Sequence, residues 1–126
     1  MNVLVDTSVW VAHFRLVNDA LVDLIERDRV LGHPMVLAEI ACGTPPGPRE
    51  KTLGDMALLG QAHLASWTEL MAFIEREKLH GLGCGFVDIA LLASTCITPD
   101  AKLWTLDKKL IELAKRFGVQ VALPLH

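Results

Sequence analysis

Between Gly81 and Pro99 the chain carries one charged side chain, Asp88. Within that stretch Phe86–Ile97 is an apolar run interrupted only by this carboxylate. A helix that is apolar all round must be buried all round, so the run predicts a central helix on which other elements pack. It is too short to cross a membrane, which takes about 20 residues. Gly81, Gly83 and Gly85 precede the run and Pro99 closes it.

The flanking sequence supplies the rest of an α/β pattern. Asn2–Val5 reads as a short buried strand, and Thr7 or Ser8 can cap a helix over Val9–Phe14. Asn18–Arg29 reads as an amphipathic helix, with Val17, Leu21, Leu24 and Asp28 one turn apart. Val30–Leu31 is a second short strand. Pro34 opens a helix that stops at Gly43. Thr44–Pro48, rich in proline, is a loop. Arg49–Leu59 and Trp67–Lys78 are helices, the second with Trp67, Leu70, Met71 and Ile74 on one face. Lys102–Leu106 is a strand, Asp107–Phe117 a helix ended by Gly118, and Val119–Ala122 a last strand. Short apolar strands alternating with helices imply a parallel sheet covered on both faces. In such sheets ligands bind at the carboxyl ends of the strands, where Asp6 and Asp107 both fall.

The 126 residues, 52% hydrophobic and 21% charged, predict one domain over 1–126 with a real core and exclude a disordered chain. The net charge of −3 excludes a generic basic nucleic-acid binder. The N-terminus lacks a basic region before its first acid, so no signal peptide is expected. Cys42, Cys84 and Cys96 are odd in number, widely spaced and without a CxxC, and read as small buried hydrophobes. Together these features predict a cytoplasmic protein with no membrane partner.

Four acids stand apart from the solvated ones. Asp6 follows NVLV, Glu39 is the only charge between Pro34 and Gly43, Asp88 interrupts the apolar run, and Asp107 follows KLWTL. Each has a local explanation: Asp6 as a turn residue, Asp107 as a helix N-cap, Asp88 as a cap near Gly85, Glu39 as a solvent-facing side chain. Taken together they suit one convergent site better. Two carboxylates about 4 Å apart repel by about 4 kcal/mol at an effective dielectric of 20. A divalent cation relieves that repulsion, and an all-oxygen set favours Mg²⁺ or Mn²⁺ over Zn²⁺. A hard cation in an acidic cleft can activate water and hold a phosphate for in-line displacement.

On these residues the sequence resembles the PIN-domain nucleases, and within them the VapC-type toxins of toxin–antitoxin pairs. The resemblance rests on four segments: Val3–Trp10 (VLVDTSVW), Val36–Ile40 (VLAEI), Val87–Ala93 (VDIALLA) and Leu103–Leu110 (LWTLDKKL). It covers nearly the whole chain. It implies a three-layer αβα sandwich with a central parallel sheet. It implies a Mg²⁺- or Mn²⁺-dependent endoribonuclease that cleaves RNA phosphodiesters by metal-activated water. A cognate small antitoxin, a homodimer and larger toxin–antitoxin complexes are implied partners. Carried over residue by residue, Asp6, Glu39, Asp88 and Asp107 form the catalytic acidic site. Asp6 and Asp88 are its main metal ligands, and Glu39 and Asp107 act directly or through water. Thr7 and Ser8 support the site, and Thr105 orients Asp107.

The chain departs from the family pattern in three places. Phe86 stands where the family often has Pro, Leu110 where an aromatic residue often follows the last Asp, and Lys108 and Lys109 where a further acid is common. Arg15, Arg49, Lys51, Lys108 and Lys109 are candidate contacts for the RNA backbone. A non-catalytic PIN-like module that binds RNA or protein is the alternative. A phosphoryl-accepting receiver would need an acidic pair after the first strand, and a haloacid-type phosphatase an acid at position 8. Thr7 and Ser8 meet neither requirement.

Overall fold

The tetrapeptide Asn2–Val5 forms β1, and Val3, Leu4 and Val5 are at most 1% exposed. Their burial follows from an inner position in the sheet. On one side β1 pairs in parallel with β2 (Val30–Gly32), through Val3↔Val30 and Leu4↔Leu31. On the other it pairs in parallel with β4 (Ala101–Trp104), from Asn2↔Ala101 to Val5↔Trp104. β3 (Gly60–Gln61) adds a two-residue edge beside β2, giving the order β3-β2-β1-β4. The structure is a computed structural model that describes residues 1–122; the last four residues of the expected 1–126 domain lie outside the described residues.

The helices are α1 (Thr7–Arg15), α2 (Asp19–Glu26), α3 (Pro34–Cys42), α4 (Arg49–Ala57), α5 (Trp67–Glu77), α6 (Phe86–Ile97) and α7 (Lys108–Arg116). With the all-parallel sheet they make the expected three-layer αβα sandwich. α6 lies where its composition predicts but is not buried all round, because Phe86, Cys96 and Ile97 at its ends are exposed. Ile89 through Thr95 are buried without interruption, and the helix packs on β4, α5 and α7. A second set packs α1 on α3 and α3 on α4. A buried histidine ties the start of α3 to α6. His33 Nδ1 accepts from the Met35 N–H at 3.1 Å, so Nε2 carries the proton and donates to Ser94 Oγ at 3.1 Å. Burial pushes the His33 pKa down, which favours this neutral form.

Several elements differ from the sequence-based expectations. α2 stops at Glu26 rather than Arg29, because Asp28 adopts a left-handed φ of 57° and the Arg29 N–H turns back to the Leu24 carbonyl. Val17 is 64% exposed, so the buried face of α2 reduces to Leu21 and Leu24. Asp6, not Thr7 or Ser8, caps α1. β4 ends at Trp104, and Leu106 is exposed. The expected strand over Val119–Ala122 contracts to one parallel bridge, Leu103↔Gln120. Trp67, placed by periodicity on the core face of α5, is 66% exposed, while Leu70 and Phe73 are buried. Cys42 and Cys96 are exposed and Cys84 is half-buried, so the cysteines are not core residues. Among the described residues no helix is long and apolar enough to cross a membrane.

Candidate active site

The chain leaves β1 through α1 toward β2 on one side, while β4 lies on the other side of β1. The direction of winding therefore reverses between β1 and β4. In open parallel sheets this is where a crevice forms at the carboxyl ends of the strands. Asp6 and Thr105 are the first residues beyond β1 and β4.

Asp6 is 5% exposed and is held by three donors. Oδ1 accepts from the Thr7 N–H at 2.8 Å, and Oδ2 accepts from Ser8 Oγ at 2.7 Å and Thr105 Oγ1 at 2.7 Å. The two hydroxyl oxygens accept in turn from the β4–α7 connection: Ser8 Oγ from the Leu106 N–H at 3.0 Å, Thr105 Oγ1 from the Asp107 N–H at 3.1 Å. The Asp6 N–H extends the ladder by donating to the Trp104 carbonyl at 2.9 Å. One buried carboxylate thus fastens the ends of two neighbouring strands together. Thr7 Oγ1 donates to Glu39 Oε1 at 2.7 Å and brings in the exposed carboxylate of α3.

Asp88 is half-buried at the third position of α6, where Oδ2 accepts from the Gly85 N–H at 3.3 Å. Burial is the largest cause that raises its pKa. The charges of Asp6, Asp107 and Glu39 raise it further, against the lowering effect of the Gly85 N–H. The other three carboxylates therefore all act on Asp88, although they come from three different elements. Asp107 is exposed, and its Oδ1 caps α7 by accepting from the Leu110 N–H at 2.9 Å.

The structure bears out the local explanations for all four acids. Asp6 and Asp107 are N-caps, Asp88 accepts at its helix start, and Glu39 faces solvent. Only Asp6 and Asp88 are withdrawn from water. As they stand, no three His, Cys, Asp or Glu side chains among the described residues are close enough to hold a metal ion. Like charges repel, and here each carboxylate is held by a nearby donor: a backbone N–H for Asp6, Asp88 and Asp107, the Thr7 hydroxyl for Glu39. The donor chemistry itself fits a hard divalent cation: carboxylate oxygens, with one carboxyl already destabilised as an anion by its neighbours.

The basic candidates separate by their partners. Arg15 lines an open cleft of about 470 Å³ with Glu39, Phe14 and the loop from Gly43 to Pro46. Arg49 donates to the Ala41 carbonyl at 2.8 Å, and Lys51 pairs with Asp55 at 2.9 Å, so both are engaged locally. Lys108 and Lys109 open α7 directly after Asp107. The sequence reading missed Cys84, whose thiol lies within the electrostatic reach of Asp88 and Asp107. Its only sequence signal is its place between Gly83 and Gly85. His13 Nδ1 accepts the Asn18 N–H at 3.0 Å in the turn after α1.

No family model matches the chain, and no solved structure matches it. Among curated proteins it is similar to Ribonuclease VapC32 of Mycobacterium tuberculosis, from strains CDC 1551 / Oshkosh and ATCC 25618 / H37Rv. In each case the identity is 38% over 120 residues, spanning 95% of this chain and 96% of the relative.

Proposed function

The chain belongs to the VapC-type family of PIN-domain ribonucleases, and from that premise we propose that it is a Mg²⁺- or Mn²⁺-dependent endoribonuclease, the toxin of a toxin–antitoxin pair. The observation that carries this reading is the placement of Asp6 at the carboxyl end of β1, buried and fixed by Ser8 and Thr105, with Glu39 joined to it through Thr7 and Asp107 through Thr105. Asp88, whose pKa is raised by burial first and then by the charges of Asp6, Asp107 and Glu39, adds a fourth carboxylate near the switch point of the sheet.

Asp6 and Asp88 are the residues that would hold the cation, with Glu39 and Asp107 completing the set directly or through water. When bound, a divalent cation supplies charge neutralisation and Lewis acidity for hydrolysis of a phosphodiester. The chain's own contribution is to fix the ligands beforehand. Ser8 and Thr105 donate to the same oxygen of Asp6, which leaves that carboxylate little freedom to rotate. Thr7 aims Glu39, and Thr105 joins the position of Asp107 to that of Asp6. Such supporting contacts commonly change metal affinity or activity 10–100-fold. The opposite assignment of roles, with exposed Asp107 as anchor, would leave the most rigid carboxylate unused.

RNA is the proposed substrate, with its backbone received by Arg15, Lys108 and Lys109 beside the acidic end. A cognate small antitoxin is the proposed inhibitor. A homodimer, larger toxin–antitoxin complexes and a cytoplasmic location complete the reading. Cleavage of single-stranded RNA by the purified protein tests it. Activity should need Mg²⁺ or Mn²⁺, stop with EDTA, and fall sharply in Asp6→Asn and Asp88→Asn. Undiminished cleavage by either variant would overturn the site. RNA binding without cleavage under any metal would favour a non-catalytic module.

A further inference from the structure

Gly83 and Lys109 meet at the rim of the acidic end. Gly83 has a φ of +84°, and the space where a side chain would begin is taken by the flexible outer end of Lys109. A methyl group there would stand 2.8 Å from Lys109 Cδ, 3.0 Å from Cε, and closer still to Nζ. The whole outer half of the lysine therefore crosses the glycine α-carbon. A second observation locates the charge. The Cys84 thiol is raised first by burial, then by Asp88 and Asp107, and Lys109 opposes them. Lys109 thus shares a neighbour with two of the four carboxylates.

That placement does not serve the helix. Lys109 lies in the first turn of α7, where a positive charge opposes the helix dipole. Nor does it serve an ion pair. Among the described residues Lys51, Lys115, Arg27, Arg76 and Arg116 have carboxylate partners, whereas Lys109, like Arg15 and Lys108, has none. An unpaired ammonium, seated by a glycine next to an anionic site, has the chemistry of a phosphate contact.

We infer that Lys109, seated on Gly83, is a positioning residue that grips a backbone phosphate of the RNA strand as it crosses the acidic end. The inference rests on the proposed ribonuclease function. It distinguishes Lys109 from Arg15 and Lys108 by its seat on Gly83.

The test is steady-state cleavage of a labelled single-stranded RNA at fixed Mg²⁺ over a series of KCl concentrations. In Lys109→Ala, KM should rise about tenfold with kcat much less affected, as for loss of ground-state binding. The slope of log KM against log [KCl] should fall by about 0.7, the value for one phosphate contact to a single strand. Lys109→Arg should restore most of the KM and the slope. Gly83→Ala should raise KM in the wild-type background and add little in the Lys109→Ala background. A general loss of structure would not change the salt slope in this selective way. If the wild type cuts RNA and Lys109→Ala keeps the same KM and slope, the inference is overturned alone. If the wild type neither binds nor cuts RNA, the ribonuclease reading falls and the inference with it.

Discussion

Asp6 and Asp107 occupy similar places in the chain, each following a strand and capping the helix that comes next. Their surroundings differ. Asp6 is buried, with three donors on its two oxygens. Asp107 is exposed, with one backbone N–H on Oδ1. The difference comes from the side chains around them. Ser8 and Thr105 both turn toward Asp6, whereas Lys108 and Lys109 follow Asp107. A carboxylate held by hydroxyls in a low-dielectric position is a fixed ligand. One held by a single cap can swing toward solvent. The two strand ends would thus offer a rigid half and an adjustable half of the proposed site.

Substitutions can break this contrast in order of effect. Asp6→Asn keeps the volume but removes the anchored charge, and should lower RNA cleavage about a thousandfold. Asp107→Asn keeps the helix cap and should cost about a hundredfold with little loss of stability. Asp107→Ala removes the cap as well and should lower stability by about 1 kcal/mol in chemical denaturation. Equal activity losses at positions 6 and 107 would erase the distinction between anchor and adjustable ligand.

Thr105→Val probes the link between the halves. It deletes the hydroxyl that donates to Asp6 Oδ2 and accepts from the Asp107 N–H, while preserving shape. Cleavage should fall about tenfold. Raising the metal concentration should recover part of the loss if the hydroxyl orients ligands. Wild-type activity at limiting metal would show that the link is dispensable.

The smallest effect concerns pH. The folded protein raises the Asp88 pKa, through burial first and neighbouring carboxylates next. Folding therefore favours the protonated carboxyl. The associated stability is fully present below the ordinary carboxylate range and is lost as pH rises through the folded value. In EDTA, Asp88→Asn should melt above the wild type at neutral pH, and the two midpoints should converge in acid. A wild type that stays the more stable at neutral pH would contradict the raised Asp88 pKa.

Much of this architecture was legible in the residues. The bare apolar run marked the limits of α6 and the burial of its middle, and Pro34 and Gly43 bracketed α3. β3 was not legible, because two exposed residues, one of them glycine, carry no alternation. Periodicity also misplaced Trp67, since position on a helical stripe does not say where the neighbouring elements end. The four acids could be found as charges out of context. Their unequal burial could not, because it depends on Ser8 and Thr105 meeting from opposite ends of the chain. The Gly83–Lys109 contact was hidden for the same reason.

The central claim is that four carboxylates, anchored at Asp6, make one divalent-cation site. Calorimetric titration of Mn²⁺ into the RNA-free protein tests it most directly. The account predicts saturable binding in the wild type, abolished by Asp6→Asn and weakened but retained by Asp107→Asn. Mn²⁺ uptake that is the same in the wild type and in Asp6→Asn would contradict it.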